Sequence, residues 1–148
     1  IAPYFELPYY VNISRWLQDD ARLAQIYNSW YPEVSKQVVD GVFAVHRELG
    51  PGLLEACYHN ALFYELRRQR LGVEYEKPLS VSYRGQVVGE FFADLVVENR
   101  VIIEVKAVTE FSRFMHAQLL NYLRISGLRL GFLVNFQGIK AEFKRFIL

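Results

Sequence analysis

The sequence has little of what several common protein classes require. It contains one cysteine, Cys57, among 148 residues, so it can form neither an internal disulfide nor a cysteine-rich zinc site. No apolar run approaches the roughly 18 residues that a membrane-spanning helix needs. No GxxxxGK phosphate loop indicates ATP binding. We therefore expect a cytoplasmic protein with no membrane partner.

An excess of charge of one sign is also missing. The formal net charge is +1 at pH 7, which gives no overall attraction to a polyanion. A nucleic-acid partner would have to be bound by local groups of Lys and Arg. Hydrophobic residues make up 52% of the chain, and this length suits one domain with one sizeable core.

The first 32 residues differ from the rest in their aromatic content. They hold eight aromatic side chains: Tyr4, Phe5, Tyr9, Tyr10, Trp16, Tyr27, Trp30 and Tyr31. Ser14 is suited to cap a helix that runs to about Trp30. Two interpretations stay open: an extra helix packed on the core, or an arm that docks onto another copy and makes a homo-oligomer. We treat residues 1–32 as this aromatic-rich arm and residues 33–148 as the main domain.

The sequence pattern of the main domain predicts three helices and a sheet. Apolar spacings of three and four favour helices at 33–49, 53–71 and 112–126. Gly50-Pro51-Gly52 ends the first, while Ser112 caps the third and Gly127 closes it. Strands are predicted at 73–77, 79–83, 86–97, 100–108 and 130–136, with a turn near Pro78 and a weaker edge strand within 139–148. This order indicates an α/β fold with a mixed sheet flanked by helices. Cys57 is expected to be a small core residue.

The segment Val101–Val108 carries the first chemical signal. It is apolar enough to be a strand buried on both faces, yet it contains Glu104 and Lys106. Residues two apart on a strand point to the same face, so the acid and the amine lie side by side. Buried charges need partners, so these two either pair at a sheet edge or line a polar site.

A second acid, Asp94, interrupts the preceding apolar run. If Glu98-Asn99-Arg100 is a three-residue hairpin loop, Val97 pairs with Val101 and Asp94 falls directly opposite Glu104. Two acids there repel each other unless a cation bridges them, and a slip of one residue would send Asp94 to the other face. Such a pair of carboxylates suits Mg²⁺ or Mn²⁺, which can activate a water and stabilise a phosphoryl transition state. Lys106 would then orient the water or neutralise the phosphate.

These residues belong to a longer pattern. The segment Gly52-Leu-Leu-Glu55-Ala-Cys-Tyr58, preceded by His46-Arg-Glu-Leu-Gly50-Pro51, resembles the signature of the GxxExxY proteins. Those proteins are similar to the PD-(D/E)XK nuclease superfamily. Asp94, Glu104-Val-Lys106 and Gln118-Leu-Leu-Asn-Tyr122 follow in the expected order, and the resemblance covers about residues 34–146.

The resemblance implies a restriction-endonuclease-like α/β fold and a metal-dependent nuclease acting on DNA or RNA. It implies metal binding by Asp94, Glu104, the backbone carbonyl of Val105 and Glu55. It also implies that Lys106 serves the attacking water, and that Gln118 and Tyr122 line the catalytic site. An alternative is a catalytically silent protein of the same fold that assembles or binds through its N-terminal arm.

The residues alone leave plainer interpretations open for some of these positions. Glu55 also suits the first turn of a helix, where the helix dipole favours an acid. Tyr58 and Tyr122 also suit a core, and Gln118 a surface. The three histidines show no metal-ligand spacing and are expected to be structural or exposed. Arg113 starts its helix directly after the Glu-x-Lys strand and could reach a phosphate.

Overall fold

One mixed β-sheet with helices on both faces makes up the part of the chain that the structure describes. The computed structural model describes residues 5–7 and 31–148. The helices are α1 (Pro32–Leu49), α2 (Glu55–Arg68) and α3 (Arg113–Ser126); the strands are β1 (Phe5–Leu7), β2 (Val73–Tyr83), β3 (Gln86–Val97), β4 (Val101–Lys106), β5 (Leu130–Asn135) and β6 (Glu142–Ile147). This confirms the predicted α/β fold. The helix predicted from Ser14 to about Trp30 lies outside the described residues.

The strands follow the order β1-β6-β5-β4-β3-β2 across the sheet. Strands β4 and β5 are parallel, and every other neighbouring pair is antiparallel. The connection between the two parallel strands is α3, since parallel neighbours need a crossover. Strand β4, which carries Glu104 and Lys106, therefore lies in the interior of the sheet, and all of its residues except Lys106 are buried.

The ends of α1 and α3 carry residues that are typical of helix termini. Pro32 occupies the first turn of α1, where its missing N–H costs nothing. Ser112 caps α3 by accepting the N–H of Met115 at 3.2 Å. Gly127, with φ 74°, ends α3 and donates its N–H to Leu123. These signals fix where α3 begins, directly after the loop that follows Lys106.

The two sheet faces are covered by different helices. Val101, Ile103 and Val105 of β4 belong to the core formed with α1 and α2. Ile102 belongs to the second core, formed with Leu119 and other residues of α3. Because successive strand residues alternate between faces, Glu104 and Lys106 share the α3 face with Ile102.

Three sequence-based predictions about local structure are wrong. Pro78 does not end a strand: it pairs with Phe92 within a continuous β2, and as an edge strand in the described sheet β2 tolerates a residue without an N–H. The final strand is not an edge, because β6 pairs with both β5 and β1. Cys57 is exposed, since α2 turns its neighbour Tyr58 toward the core instead.

No described helix is both long enough and apolar enough to cross a lipid bilayer.

Candidate active site

The hairpin β3–β4 sets the register of the candidate site. Val97 pairs with Val101, and Leu95 pairs with Ile103. The loop between them holds Glu98 and Asn99 with φ of 54° and 52°, the left-handed backbone that tight hairpin turns use. The predicted three-residue loop is therefore confirmed, and the same register, continued by one pair, brings Asp94 next to Glu104.

The backbone pairing between β3 and β4 ends at Leu95 and Ile103. Beyond that pair, two carboxylates accept the backbone N–H groups instead. Glu104 Oε1 accepts the backbone N–H of Asp94 at 3.0 Å. In return, Asp94 Oδ2 accepts the backbone N–H of Val105 at 2.8 Å. Each side chain thus satisfies a strand N–H that the ladder leaves without a carbonyl. The second oxygen of each carboxylate takes no part in these two bonds.

Burial and mutual repulsion oppose the ionisation of this pair. Glu104 is 3% exposed. Burial, and then the charge of Asp94, raise the pKa of Glu104 to about 8. Burial also raises the pKa of Asp94, although the Val105 N–H, His59 and Lys106 act in the opposite direction. Near neutral pH the pair by itself holds a proton, and a cation that binds there would displace this proton into solvent.

Lys106 and two residues of α3 complete this side of the sheet. Lys106 Nζ donates to Gln118 Oε1 at 3.3 Å. Tyr122 follows Gln118 by four positions on α3, and its pKa is raised by burial and then by the charges of Glu104 and Asp94. The structure therefore brings together the five side chains predicted on the strands and on α3: Asp94, Glu104, Lys106, Gln118 and Tyr122.

The backbone of Val105 has the orientation that the sequence-based prediction needs. Its N–H points toward β3, because it is bonded to Asp94. In a strand the N–H and C=O of one residue point toward the same neighbour, so the Val105 carbonyl also faces β3, beyond the last backbone pair. That carbonyl lies on the side of β4 occupied by Asp94.

Glu55 is not brought into this group. It is an exposed residue at the first position of α2, and α2 packs on the opposite face of the sheet from the two carboxylates. Within residues 5–7 and 31–148, no cluster of three or more His, Cys, Asp or Glu side chains could hold a metal ion. The described acidic donors at the site are Asp94 and Glu104.

Tyr58, the tyrosine of the GxxExxY pattern, has a structural role. Tyr58 donates its hydroxyl to the Gly50 carbonyl at 2.6 Å and accepts the Leu53 N–H at 3.1 Å. Its ring stacks on Phe136 with centroids 4.7 Å apart. Tyr58 thus closes the turn between α1 and α2 and anchors α2 to the core.

Two residues next to the site were not identified from the sequence. His59 is buried, and its Nε2 lies 2.9 Å from the backbone carbonyl of Asp94, while its ring stacks on Tyr75 at 4.2 Å. Asn135 is 3% exposed and clamps the backbone of Val108, accepting its N–H at 3.0 Å and donating to its carbonyl at 2.8 Å. The one sequence signal for this role is that Asn135 is a polar residue at the end of an otherwise apolar strand.

Residues 32–146 match the family model of the PD-(D/E)XK nuclease superfamily. The chain belongs to this superfamily. The match runs from the start of α1 almost to the end of β6 and includes every residue of the site. No curated protein and no solved structure gives a significant match. The narrower resemblance to the GxxExxY proteins stays a prediction.

PD-(D/E)XK nucleases generally use divalent metal ions, and the donor atoms of this site suit one. Two opposed carboxylates and a backbone carbonyl are hard oxygen donors, which Mg²⁺ and Mn²⁺ prefer. Mg²⁺ usually takes only one or two protein carboxylates and keeps several waters, so a third acid is not required. A cation would also relieve the repulsion between two carboxylates that share one buried position.

Proposed function

We propose that this protein is a metal-dependent nuclease that hydrolyses phosphodiester bonds in DNA or RNA. The observation that carries the proposal is the pair of opposed, buried carboxylates at the end of the β3–β4 ladder, with an amine on the same face. Each carboxylate is oriented by a backbone N–H, so neither side chain must reorganise to present its second oxygen. Membership of a nuclease superfamily supports the same conclusion.

In this proposal Asp94, Glu104 and the Val105 carbonyl hold Mg²⁺ or Mn²⁺. When bound, the ion supplies positive charge that acidifies a water and polarises the phosphoryl group. Lys106 holds the attacking water or a phosphate oxygen, and Gln118 fixes the direction of the amine through its 3.3 Å hydrogen bond. Tyr122 lines the same side of α3 one turn further along, where the charges of Glu104 and Asp94 reach its hydroxyl and raise its pKa.

Glu55 enters the proposal only through the superfamily resemblance. Because α2 lies on the other sheet face, a role for Glu55 at the metal would act through water. Glu55→Gln is therefore expected to weaken Mn²⁺ binding less than Asp94→Asn does. Calorimetric titration of both variants with Mn²⁺ makes the comparison, and equal losses would place Glu55 among the direct ligands.

The test of activity uses purified protein with single- and double-stranded DNA and RNA, in Mg²⁺, Mn²⁺ or EDTA. Cleavage is expected only with a divalent ion. Asp94→Asn, Glu104→Gln and Lys106→Met should each lower the rate by at least about 100-fold, since each removes a group that acts in the transition state. All three substitutions nearly preserve side-chain volume, which limits their effect on the fold.

The matched controls are Asp40→Asn and Lys36→Met, which change an acid and an amine of an exposed ion pair on α1. Both should cleave like the wild type. Cleavage that survives in the three site variants would show a contaminating nuclease and reject the assignment. Wild-type protein that binds Mn²⁺ but cleaves none of the four substrates would favour the catalytically silent alternative.

A further inference from the structure

A groove adjoins the candidate site at Gln118 and Tyr122, between α3 and the β2–β3 hairpin. Its volume is about 650 Å³, within the range of small-ligand sites. Strand β2 contributes Ser80 and Ser82, β3 contributes Phe91, and α3 contributes Phe114 and Asn121. The two elements that form its walls also frame the candidate active site.

Aromatic rings stand exposed in this groove. Phe114 is 75% exposed on α3, and Phe91 is 44% exposed on β3. Large apolar side chains grouped in one concave region mark an interaction site more often than isolated ones do. Flat rings beside serine hydroxyls and a side-chain amide match a ligand with an apolar face and a polar edge.

The charge of the groove points to an anionic ligand. Arg124 is its one charged lining residue, and no acid is among the described residues that line it. Arg124 donates to the side chain of Asn121, which brings a cation next to an amide. A base edge can be read by such an amide while a nearby guanidinium contacts phosphate.

The groove is continuous with the catalytic residues. Gln118 and Tyr122 line the groove, and they are also the residues linked to Lys106 and to the carboxylates. The Tyr122 ring lies 6.0 Å from that of Phe91. A chain lying in the groove would therefore pass directly to the metal-binding pair.

We infer that this groove binds single-stranded nucleic acid, with an unpaired base against Phe114 or Phe91 and the backbone beside Arg124. The inference rests on the proposed function of the adjoining site and specifies its substrate class. Bases within a duplex are already stacked, so they cannot use exposed rings. Duplex binding depends mainly on many phosphate contacts, which one arginine does not supply.

The test is binding rather than cleavage, so it can succeed or fail independently of the proposed function. Fluorescence anisotropy in EDTA would measure binding of full-length protein to labelled oligothymidylate, oligouridylate and a DNA duplex of equal length. Both single strands should bind more tightly than the duplex. Phe114→Ala should weaken single-strand binding about 5- to 100-fold, as expected for the loss of one stacking ring.

Tyr64→Ala is the matched control, because Tyr64 is a 71% exposed aromatic residue of α2 on the other sheet face. It should bind like the wild type, and Phe114→Trp should retain binding because it keeps a stacking ring. Equal or tighter binding of the duplex would overturn the inference, as would unchanged single-strand binding in Phe114→Ala. Concentration-dependent self-association that Phe114→Ala abolishes would instead assign the groove to a second copy of the chain.

Discussion

Glu104 joins the fold to the chemistry at the scale of a single residue. Its carboxylate replaces a missing ladder bond to Asp94, and its second oxygen is a candidate metal donor. The first role needs only an acceptor, whereas the second needs a negative charge. The two roles can therefore be separated by a change that removes the charge and keeps the oxygen.

Glu104→Gln is such a change, and it should alter how stability depends on pH. The folded-state pKa of Glu104, about 8, lies above its ordinary value of 4.5, so the folded protein keeps a proton that the unfolded chain loses. Without metal, wild-type stability should therefore fall as pH rises from about 4.5 to 8. The variant should show a flatter profile and exceed the wild type at pH 8 in urea denaturation.

The same substitution should abolish tight Mn²⁺ binding. In the wild type, Mn²⁺ affinity should rise with pH up to about 8, because binding displaces the carboxyl proton. A wild-type protein whose metal-free stability does not change between pH 5 and 8 would contradict the raised pKa. Retained Mn²⁺ binding in Glu104→Gln would remove Glu104 from the ligand set.

Asn135 shows how a residue outside the site supports it. Its amide fills both backbone hydrogen-bonding positions of Val108, two residues after Lys106. Asn135→Ala would leave the N–H and the carbonyl of half-buried Val108 without these partners and should lower the unfolding free energy by about 1–3 kcal/mol. Urea denaturation measures this, with Gln137→Ala as an exposed control two residues further along the chain. Equal stability of the two variants would show that the clamp contributes little.

At the scale of elements, the distance between α3 and the sheet depends on Gly131. A Cβ at this position of β5 would lie 2.8 Å from Leu119 Cδ1 and 3.1 Å from Leu119 Cγ. Leu119 is fully buried and directly follows Gln118, so it cannot yield without moving the residue that holds Lys106. The absence of a side chain at Gly131 thus sets how closely α3 packs against the sheet.

Gly131→Ala should therefore lower the unfolding free energy by about 1–3 kcal/mol, the usual cost of overpacking. It should also reduce cleavage below the level that stability alone explains, because Gln118 is displaced. The loss in the double variant Gly131→Ala/Leu119→Ala should be smaller than the sum of the two single losses, and a double-mutant cycle measures that coupling. Strictly additive losses would show that the two positions do not compete for space.

The sequence predicted the elements best where a local rule decides the outcome. The short loop Glu98-Asn99-Arg100 determined the hairpin register, and that register determined the face of Asp94. The caps Ser112 and Gly127 likewise located both ends of α3. In these cases neighbours along the chain supply the deciding interactions.

Prediction failed where the outcome depends on distant packing. Pro78 signals a break, but the position of β2 at the end of the described sheet removes that penalty. His59 reaches the Asp94 carbonyl across 35 positions of sequence, and no periodic pattern encodes that contact. The placement of Glu55 depends on which face α2 covers, and the order of elements does not specify it.

At the scale of the whole molecule, near-neutral charge limits how the protein can hold a polyanion. The net charge is +1, and the groove beside the site contributes one arginine. Few phosphates can therefore be neutralised on binding. Stacking and hydrogen bonds must supply more of the affinity than in strongly basic nucleic-acid-binding proteins.

Single-strand binding should accordingly depend weakly on salt. If two or three cationic groups contact phosphates, the slope of log affinity against log salt concentration should be about −1.5 to −2. Anisotropy titrations across a range of NaCl concentrations measure it, and Arg124→Ala should reduce the slope by about 0.7. A slope steeper than about −4 would show that a larger basic surface dominates binding.

The exchange of hydrogen bonds between Asp94 and Glu104 also bears on how this protein can change over evolution. Alanine at either position would open the centre of the sheet as well as disable the chemistry, whereas asparagine or glutamine could spare the architecture. A descendant that had given up hydrolysis would still be selected for an acceptor at both places. The need for these acceptors in the fold therefore preserves part of the catalytic site. An inactive descendant could regain activity by a single change from an amide to an acid side chain.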